Sequence, residues 1–267
     1  MIERDWYDTP LYYDIVFDTD TETEADFLEA IHRQHGPGGK SRRVLEPACG
    51  SGRLIREMAR RGWTAAGFDL SKEMLEFSKK RIDKENLKAQ LWVDRMEAFE
   101  LPAKAKAKYD LAHCFVTTFK YLLTEEDAVA CLQRVADALK PGGLFVLGLH
   151  LTAYSNTGIQ HERWVAERDG IKVVCNIRSW PADREKRLEK VRSRIKATQI
   201  SSGKIHQQET SWYFRTYNAR QLRALIEKVP ELELVVCHDF QYDHEQTRKL
   251  NDIYADIVLV LRKTDSN

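Results

Sequence analysis

No stretch of this 267-residue chain stays apolar for long. The longest runs lie around Leu144–Leu151, far short of the roughly 20 residues that span a bilayer. Neither sign of charge is in excess. Lys and Arg number 42, Asp and Glu 41, and the formal net charge is +1. A dedicated nucleic-acid binder usually carries a basic surplus, so that class is disfavoured. Cysteine is sparse and unpatterned: Cys49, Cys114, Cys131, Cys175 and Cys237 form no Cys-x-x-Cys pair. Neither a disulfide framework nor a metal site is expected, and the five read as reduced, apolar-like thiols. Glycine (13) and proline (7) are few beside 43% hydrophobic and 31% charged residues, which excludes collagen-like and disordered chains and leaves an ordered soluble protein. There is no internal repeat, and the one biased tract is the short Lys/Ala stretch Ala103–Lys108. The polar, acidic Met1–Asp8 lacks the basic region and apolar run of a signal peptide, so a cytoplasmic location is expected.

What is present is a rhythm. The length suits one large domain, or one domain with an insertion. After an aromatic- and aspartate-rich opening, Tyr7 to Asp18, the segment Glu22–His35 reads as a helix with Ala25, Leu28 and Ile31 on one face, ended by Gly36-Pro37-Gly38-Gly39. Strands and helices then alternate: Val44-Leu45 as strand, Leu54–Arg61 as helix, Trp63–Phe68 as strand, and Ser71–Lys84 as a helix capped by Ser71. Strands follow at Lys88–Val93 and Tyr109–Phe115. Glu125–Leu139 is a helix stopped by Lys140-Pro141-Gly142-Gly143, and Leu144–Leu149 is again a strand. Such alternation predicts a mostly parallel sheet with helices on both faces.

The rhythm changes after His150. Val191, Ser193, Ile195 and Ala197 alternate with Lys190, Arg192, Arg194 and Lys196, the period-two pattern of a half-buried strand. Ile171–Trp180 and Lys204–Tyr217 are also strand-like, with a turn at Ser201-Ser202-Gly203. Residues 159–215 are therefore expected to be an antiparallel β insertion. Asn218 then caps a helix, Ala219–Lys228, and Glu233–Cys237 and Ile253–Leu261 complete the main sheet as its sixth and seventh strands.

The informative segment is Val44-Leu45-Glu46-Pro47-Ala48-Cys49-Gly50-Ser51-Gly52-Arg53-Leu54-Ile55. It runs strand, glycine turn, helix. Small residues at 48, 50 and 52 let the backbone approach a ligand closely. Asp69 ends the next strand, at the distance from Gly50 where a ribose-binding acid sits in a nucleotide-binding βαβ unit. A dinucleotide site would need a third glycine where Ile55 stands, and Glu46 would repel a pyrophosphate but attract an ammonium group.

With these residues the chain resembles the class I S-adenosylmethionine-dependent methyltransferases, over roughly residues 40–150. The resemblance implies a Rossmann-like three-layer α/β/α sandwich with a mostly parallel seven-stranded sheet, here carrying the antiparallel insertion. It implies that Glu46 and the loop Ala48, Cys49, Gly50 and Gly52 hold the methionine portion of S-adenosyl-L-methionine. Asp69 would hold the ribose hydroxyls, with Leu70 and Met74 near the adenosine. Asp94, Arg95 and Met96 would meet the adenine, and Phe115 would face the cofactor. S-adenosyl-L-homocysteine would be the product. Ala48 stands where glycine is commoner. Pro47-Ala48-Cys49-Gly50 also echoes DNA adenine methylases, but Cys114–Tyr121 lacks the proline tetrad those enzymes need.

Leu11-Tyr12-Tyr13-Asp14 before a helix looks like the lid of small-molecule methyltransferases, which makes Tyr13 a candidate both to cover the cofactor and to take part in catalysis, or else an aromatic staple. The organisation expected is a lid at 1–35, a cofactor domain at 36–158 and 216–267, and a substrate-side insertion at 159–215. His150, at the end of strand five, is the candidate base, with Tyr154 and His161 behind it. Trp164, Trp180, Trp212 and Tyr213 either line an aromatic pocket for a cationic amine or form a small core. The basic run Arg184–Lys196 either grips an acidic acceptor or is a solvated face. The expected activity is in-line methyl transfer to N or O of a small molecule. Action on RNA or protein, or cofactor binding without transfer, stay open as alternatives. No membrane or nucleic-acid partner is expected. Oligomeric state is open, with the β insertion as the surface a dimer would use.

Overall fold

The computed structural model describes residues 2–40, 42–103 and 108–264. Of the Lys/Ala stretch, residues 104–107 lie outside them. Seven strands make the main sheet: β2 (Arg43–Pro47), β3 (Thr64–Asp69), β4 (Ala89–Val93), β5 (Tyr109–Cys114), β6 (Leu139–His150), β11 (Leu232–His238) and β12 (Asp256–Lys263). Their order is β11-β12-β6-β5-β2-β3-β4. The five from β2 to β6 are parallel, and β12 lies antiparallel to both β6 and β11.

Helices cover both faces. On one, α2 (Thr21–His35), α3 (Arg53–Arg60) and α4 (Lys72–Lys84) bury Leu28, Ile31, Leu54, Met58 and Ile82 against Val44, Leu111, Val146 and Val258. On the other, α5 (Glu125–Ala138) and α6 (Ala219–Ile226) bury Leu132, Val135 and Leu222 against Leu45, Ala112, Phe145 and Leu259. Successive residues of β6 thus enter opposite cores, which is why its sequence is continuously apolar. Ser71 caps α4 by accepting from Met74 N at 3.2 Å, and Asn218 and Gln221 form a reciprocal capping box on α6. The segment Lys140–Gly143, expected to be a stop, is drawn into the start of β6 through a register shift opposite β5.

The second sheet has the order β1-β10-β9-β8-β7, from β7 (Gln160–Arg168), β8 (Ile171–Ser179), β9 (Leu188–Gln199) and β10 (Ile205–Arg215), all antiparallel. Its edge is closed by β1 (Ile2–Glu3), parallel to β10. Val191, Ser193, Ile195 and Ala197 face inward, as their spacing requires. They pack, with Val173, Cys175 and Ile177, on Trp6 and Ile15. The aromatic opening is itself a helix, α1 (Pro10–Phe17), started by a proline in its first turn. The sequence did not reveal it because its apolar residues point several ways.

Candidate functional site

The turn after β2 holds Ala48 (φ 53°), Gly50 (φ 52°) and Gly52 (φ 69°) in the left-handed region. These angles swing the chain away from the sheet and leave a hollow beyond the strand ends, where open α/β sheets bind ligands. Asp69, at the end of β3, holds the turn. Its two oxygens accept from Gly50 N and Ser71 N, each at 2.8 Å. Burial raises its pKa, against the pull of these N–H groups. After β4, Asp94 accepts from Arg95 N at 2.9 Å and Glu100 N at 3.1 Å, which fixes the next turn.

These elements enclose a cavity of about 480 Å³, walled by Ala48, Gly50, Asp69, Leu70, Asp94, Arg95 and Met96 and closed by Tyr7 and Tyr13. A smaller hollow joins Tyr13, Glu46, Ala48, Cys49, Gly50 and Phe115. Most of the sequence candidates are therefore brought together. Gly52 and Met74 line neither hollow. A Cβ on Gly52 would stand 1.8 Å from Ser78 Oγ, so its bareness lets α3 lie against α4. Met74 is fully buried in the core.

The arrangement suits S-adenosylmethionine. Glu46 Oε2 is buried with no hydrogen-bond partner, and burial drives the Glu46 pKa well up. The nearby Arg53 charge offsets only part of this shift, and a cation at the free oxygen would hold the group ionised. His113, 3.8 Å from Glu46, cannot supply one, since burial lowers its pKa to about 3.

Behind Tyr13 lies a second chamber of about 420 Å³. Its walls are aromatic (Trp6, Phe17, Trp164, Trp212, Phe214 and Tyr242 among them), with Glu162 and Glu189 as acids. It opens into an outer vestibule of about 640 Å³ holding Tyr154, Trp180 and Arg184. Lys120, His150, Glu162, Ser179 and Glu189 belong to both and form the passage between them. Lys120 is almost wholly buried and pairs with Glu189 at 2.7 Å. Desolvation first, then the Lys120 charge, lowers the His150 pKa to about 4, although His150 ends β6 with much of its surface open to solvent. Trp164 and Trp212 therefore line the chamber and also pack on the insertion core. Tyr213 points outward, and His161 lines neither cavity. Within the basic run, Arg192 and Arg194 face Glu209 on the neighbouring strand.

Tyr13, together with Thr118, borders the 480 Å³ cavity, the small hollow and the chamber. Its place is set by the next residue. Asp14 is fully buried, with its carboxylate between Arg81 of α4 and Arg168 of β7, the latter at 2.5 Å. Asp18 meets the same two arginines at 3.3 and 2.8 Å. Asp14→Asn should lower stability, with Asp18 still facing both arginines and limiting the loss to on the order of 2 kcal/mol. Urea unfolding measures it, and an unchanged midpoint would remove the latch.

Several wall residues carried no signal of their own in the sequence. Phe240 and Tyr242 arrive from the β11–β12 connection, stacked at 5.9 Å, and Tyr242 donates to Glu24 at 3.1 Å. Tyr7 donates hydroxyl to hydroxyl to Tyr121 at 2.8 Å, across 114 residues of sequence. Among the described residues no group of three or more His, Cys, Asp and Glu could hold a metal, and no helix is long and apolar enough to cross a membrane.

Residues 44–143 match the family of methyltransferase domains. The chain is 30% identical over 138 residues to a dTDP-3-amino-3,6-dideoxy-alpha-D-glucopyranose N,N-dimethyltransferase of Streptomyces fradiae, covering 51% of this chain and 50% of that protein. It spans about half the length of the curated relatives it matches. Among solved structures it is similar to an S-adenosylmethionine-dependent methyltransferase from Clostridium acetobutylicum (TM-score 0.74, 18% identity, 95% of this chain and 96% of that one). It is also similar to a sugar N-methyltransferase from Streptoalloteichus (TM-score 0.70, 17% identity, 99% and 95%). At such identities the likeness is one of fold, and that fold is Rossmann-like.

Proposed function

We propose that this chain, whose residues 44–143 form a class I S-adenosylmethionine-dependent methyltransferase domain, methylates the nitrogen of an amine on a small polar molecule. The observation that carries the reading is Tyr13, standing where the cofactor cavity and the acidic, aromatic chamber meet. Relatives named as amino-sugar N,N-dimethyltransferases and a structural neighbour named as a sugar N-methyltransferase support an amine, while other relatives are named as O-methyltransferases.

S-adenosylmethionine supplies a methyl group already activated on a sulfonium sulfur. The protein has to align and to exclude water. In this reading Asp69 holds the ribose hydroxyls, Asp94, Arg95 and Met96 border the adenine, and Glu46 holds the ammonium. Tyr13 roofs the cofactor. The aromatic walls attract a cationic or partly charged amine and keep water out. Glu162 adds an acid at the passage, where Lys120 and Glu189 form an ion pair.

His150 is neutral at physiological pH and sits in that passage. It can accept a hydrogen bond from the acceptor N–H and help the released proton toward the vestibule. It is too weak a base to keep the proton. His150→Phe should therefore slow turnover by only about tenfold, below the usual range for a full general base, with S-adenosylhomocysteine affinity unchanged. The rate should show no inflection near the ordinary histidine value of 6.5. Steady-state rates across pH check both.

The test of the activity is incubation with S-adenosylmethionine and paired amino and hydroxy versions of the same sugars and small alcohols. Methylated amines, with the hydroxy partners untouched, support the reading. Methylation of the hydroxy partners alone would replace it with O-transfer.

A further inference from the structure

Ten aromatic rings line the chamber behind Tyr13. They join into continuous walls. The Phe17 ring lies 4.4 Å from that of Tyr13 and meets Trp164 edge-on at 5.4 Å, and Trp6 stacks on Trp212 at 4.9 Å. Few of their polar ends are left for a ligand. Tyr7 donates its hydroxyl proton to Tyr121, and Tyr242 donates to Glu24. The charges of the lining are one-sided. Asp20, Glu24, Glu162 and Glu189 stand against Arg53 and Lys120 alone. Both cations are already paired, Arg53 with Glu24 and Lys120 with Glu189. Among the described residues Asp20 and Glu162 have no ion-pair partner, so the lining carries −2 when its groups are ionised.

We propose that the chamber also accepts tertiary amines, so that methylation runs through to a quaternary ammonium. This rests on the amine reading above. Each added methyl replaces an N–H, which needs an acceptor, by apolar surface, which needs none. A primary ammonium brought among these rings gives up water around three N–H groups. A quaternary ammonium has no N–H to satisfy, keeps its charge at every pH, and is the kind of cation that aromatic cages recognise. The chamber therefore suits its ligand better after each transfer, and the partly methylated product is held for the next. The last step balances without a base. The free tertiary amine attacks with its lone pair. The N–C bond forms as the S–C bond breaks, and that bond's electron pair leaves with sulfur. A quaternary ammonium and S-adenosylhomocysteine result, and no proton is released. This fits a chamber whose one histidine, His150, has its pKa lowered to about 4.

The alternative is that the rings only pack α1 against the insertion sheet, and that methylation stops at the N,N-dimethyl product. Varying the methyl count and the charge of the ligand separates the two. The amine converted in the paired assay above would be supplied in its primary, N-methyl and N,N-dimethyl forms, with products read by mass spectrometry. Independently of any acceptor, the S-adenosylhomocysteine complex would be titrated with tetramethylammonium, ammonium and tert-butanol at constant ionic strength. Tert-butanol carries methyl groups without the charge, and ammonium the charge without the methyl groups. Trp6, Trp164 and Trp212 line the chamber, so tryptophan fluorescence reads the binding. Trp164→Leu removes one ring and keeps an apolar wall, and its affinity for S-adenosylhomocysteine reports whether it is folded.

The wild type should convert the N,N-dimethyl form to the trimethylammonium product, with KM falling at each methyl. It should bind tetramethylammonium about tenfold or more tighter than either ammonium or tert-butanol, the range for a desolvated cation on aromatic faces. Trp164→Leu should lose about threefold of that preference while binding S-adenosylhomocysteine as the wild type does. Conversion that stops at the N,N-dimethyl form would overturn the inference and leave the amine reading standing. Tetramethylammonium bound no tighter than tert-butanol, or a full preference kept by Trp164→Leu, would overturn it as well. A paired assay in which no amine is converted would overturn the amine reading itself.

Discussion

Asp69→Ala should weaken binding of S-adenosylhomocysteine by about 3 kcal/mol or more, beyond about a hundredfold, because two charge-assisted hydrogen bonds to ribose hydroxyls are lost. The structure sharpens this. Both Asp69 oxygens already accept from the turn, from Gly50 N and Ser71 N, so alanine also frees the loop that borders the cofactor cavity. Asp69→Asn keeps one acceptor and should lose less. Neither change should unfold the protein. Burial raises the pKa of Asp69, so the folded state binds its proton more tightly than the unfolded state does. Its ionised form therefore opposes folding at neutral pH, and the opposition grows as pH rises through the shifted value. An asparagine variant with weakened binding and an intact thermal midpoint is the expected pairing. Unchanged affinity by calorimetry would end the ribose assignment.

Cofactor affinity should rise with pH, and Glu46 is the reason. In the empty site burial holds its pKa well above the ordinary carboxyl value. Below that raised value the carboxyl is protonated and has nothing to offer an ammonium group. Binding must then expel the proton, so affinity falls by about tenfold for each pH unit below the empty-site pKa. Above it the dependence flattens. Glu46→Gln should bind S-adenosylhomocysteine about tenfold to a hundredfold more weakly at neutral pH, as expected for losing a charge-assisted bond, and should lose the pH dependence. Calorimetry in buffers of different ionisation enthalpy would count the released proton. A wild-type affinity that is flat from acid to neutral pH would contradict this role.

Much of the fold was legible because it is periodic. The alternation from Val44 to Leu149 carries a parallel sheet on its face, and Val191–Ala197 carries a half-buried strand. The glycine turn and Asp69 were legible because left-handed backbone angles favour glycine and the acid that ties the turn stands at a fixed spacing from it. What stayed hidden depends on distant partners. α1 has no clean apolar stripe, since Tyr13 turns to the cavity at the glycine turn while Ile15 meets the insertion sheet. β1 is two residues long and exists by pairing with β10, some two hundred residues away. Phe240 and Tyr242 lie in a polar connection with no motif, yet they wall the aromatic chamber. Gly52 and Met74 show the converse. Family pattern pointed both to the ligand, and in the structure one lets α3 lie against α4 and the other fills the core.

The near-neutral total conceals this layout. Glu46, Asp69 and Asp94 gather at the cofactor end, Glu162 and Glu189 at the acceptor passage, and the basic residues of β9 stand on the insertion's outer face. The central claim is that the site between β2 and β3 takes a sulfonium nucleoside and not a dinucleotide. Calorimetric titration of the purified chain with S-adenosylhomocysteine and, separately, with NAD tests it most directly. Saturable binding of S-adenosylhomocysteine with none of NAD is the expected result, and tight NAD binding with no response to S-adenosylhomocysteine would contradict it.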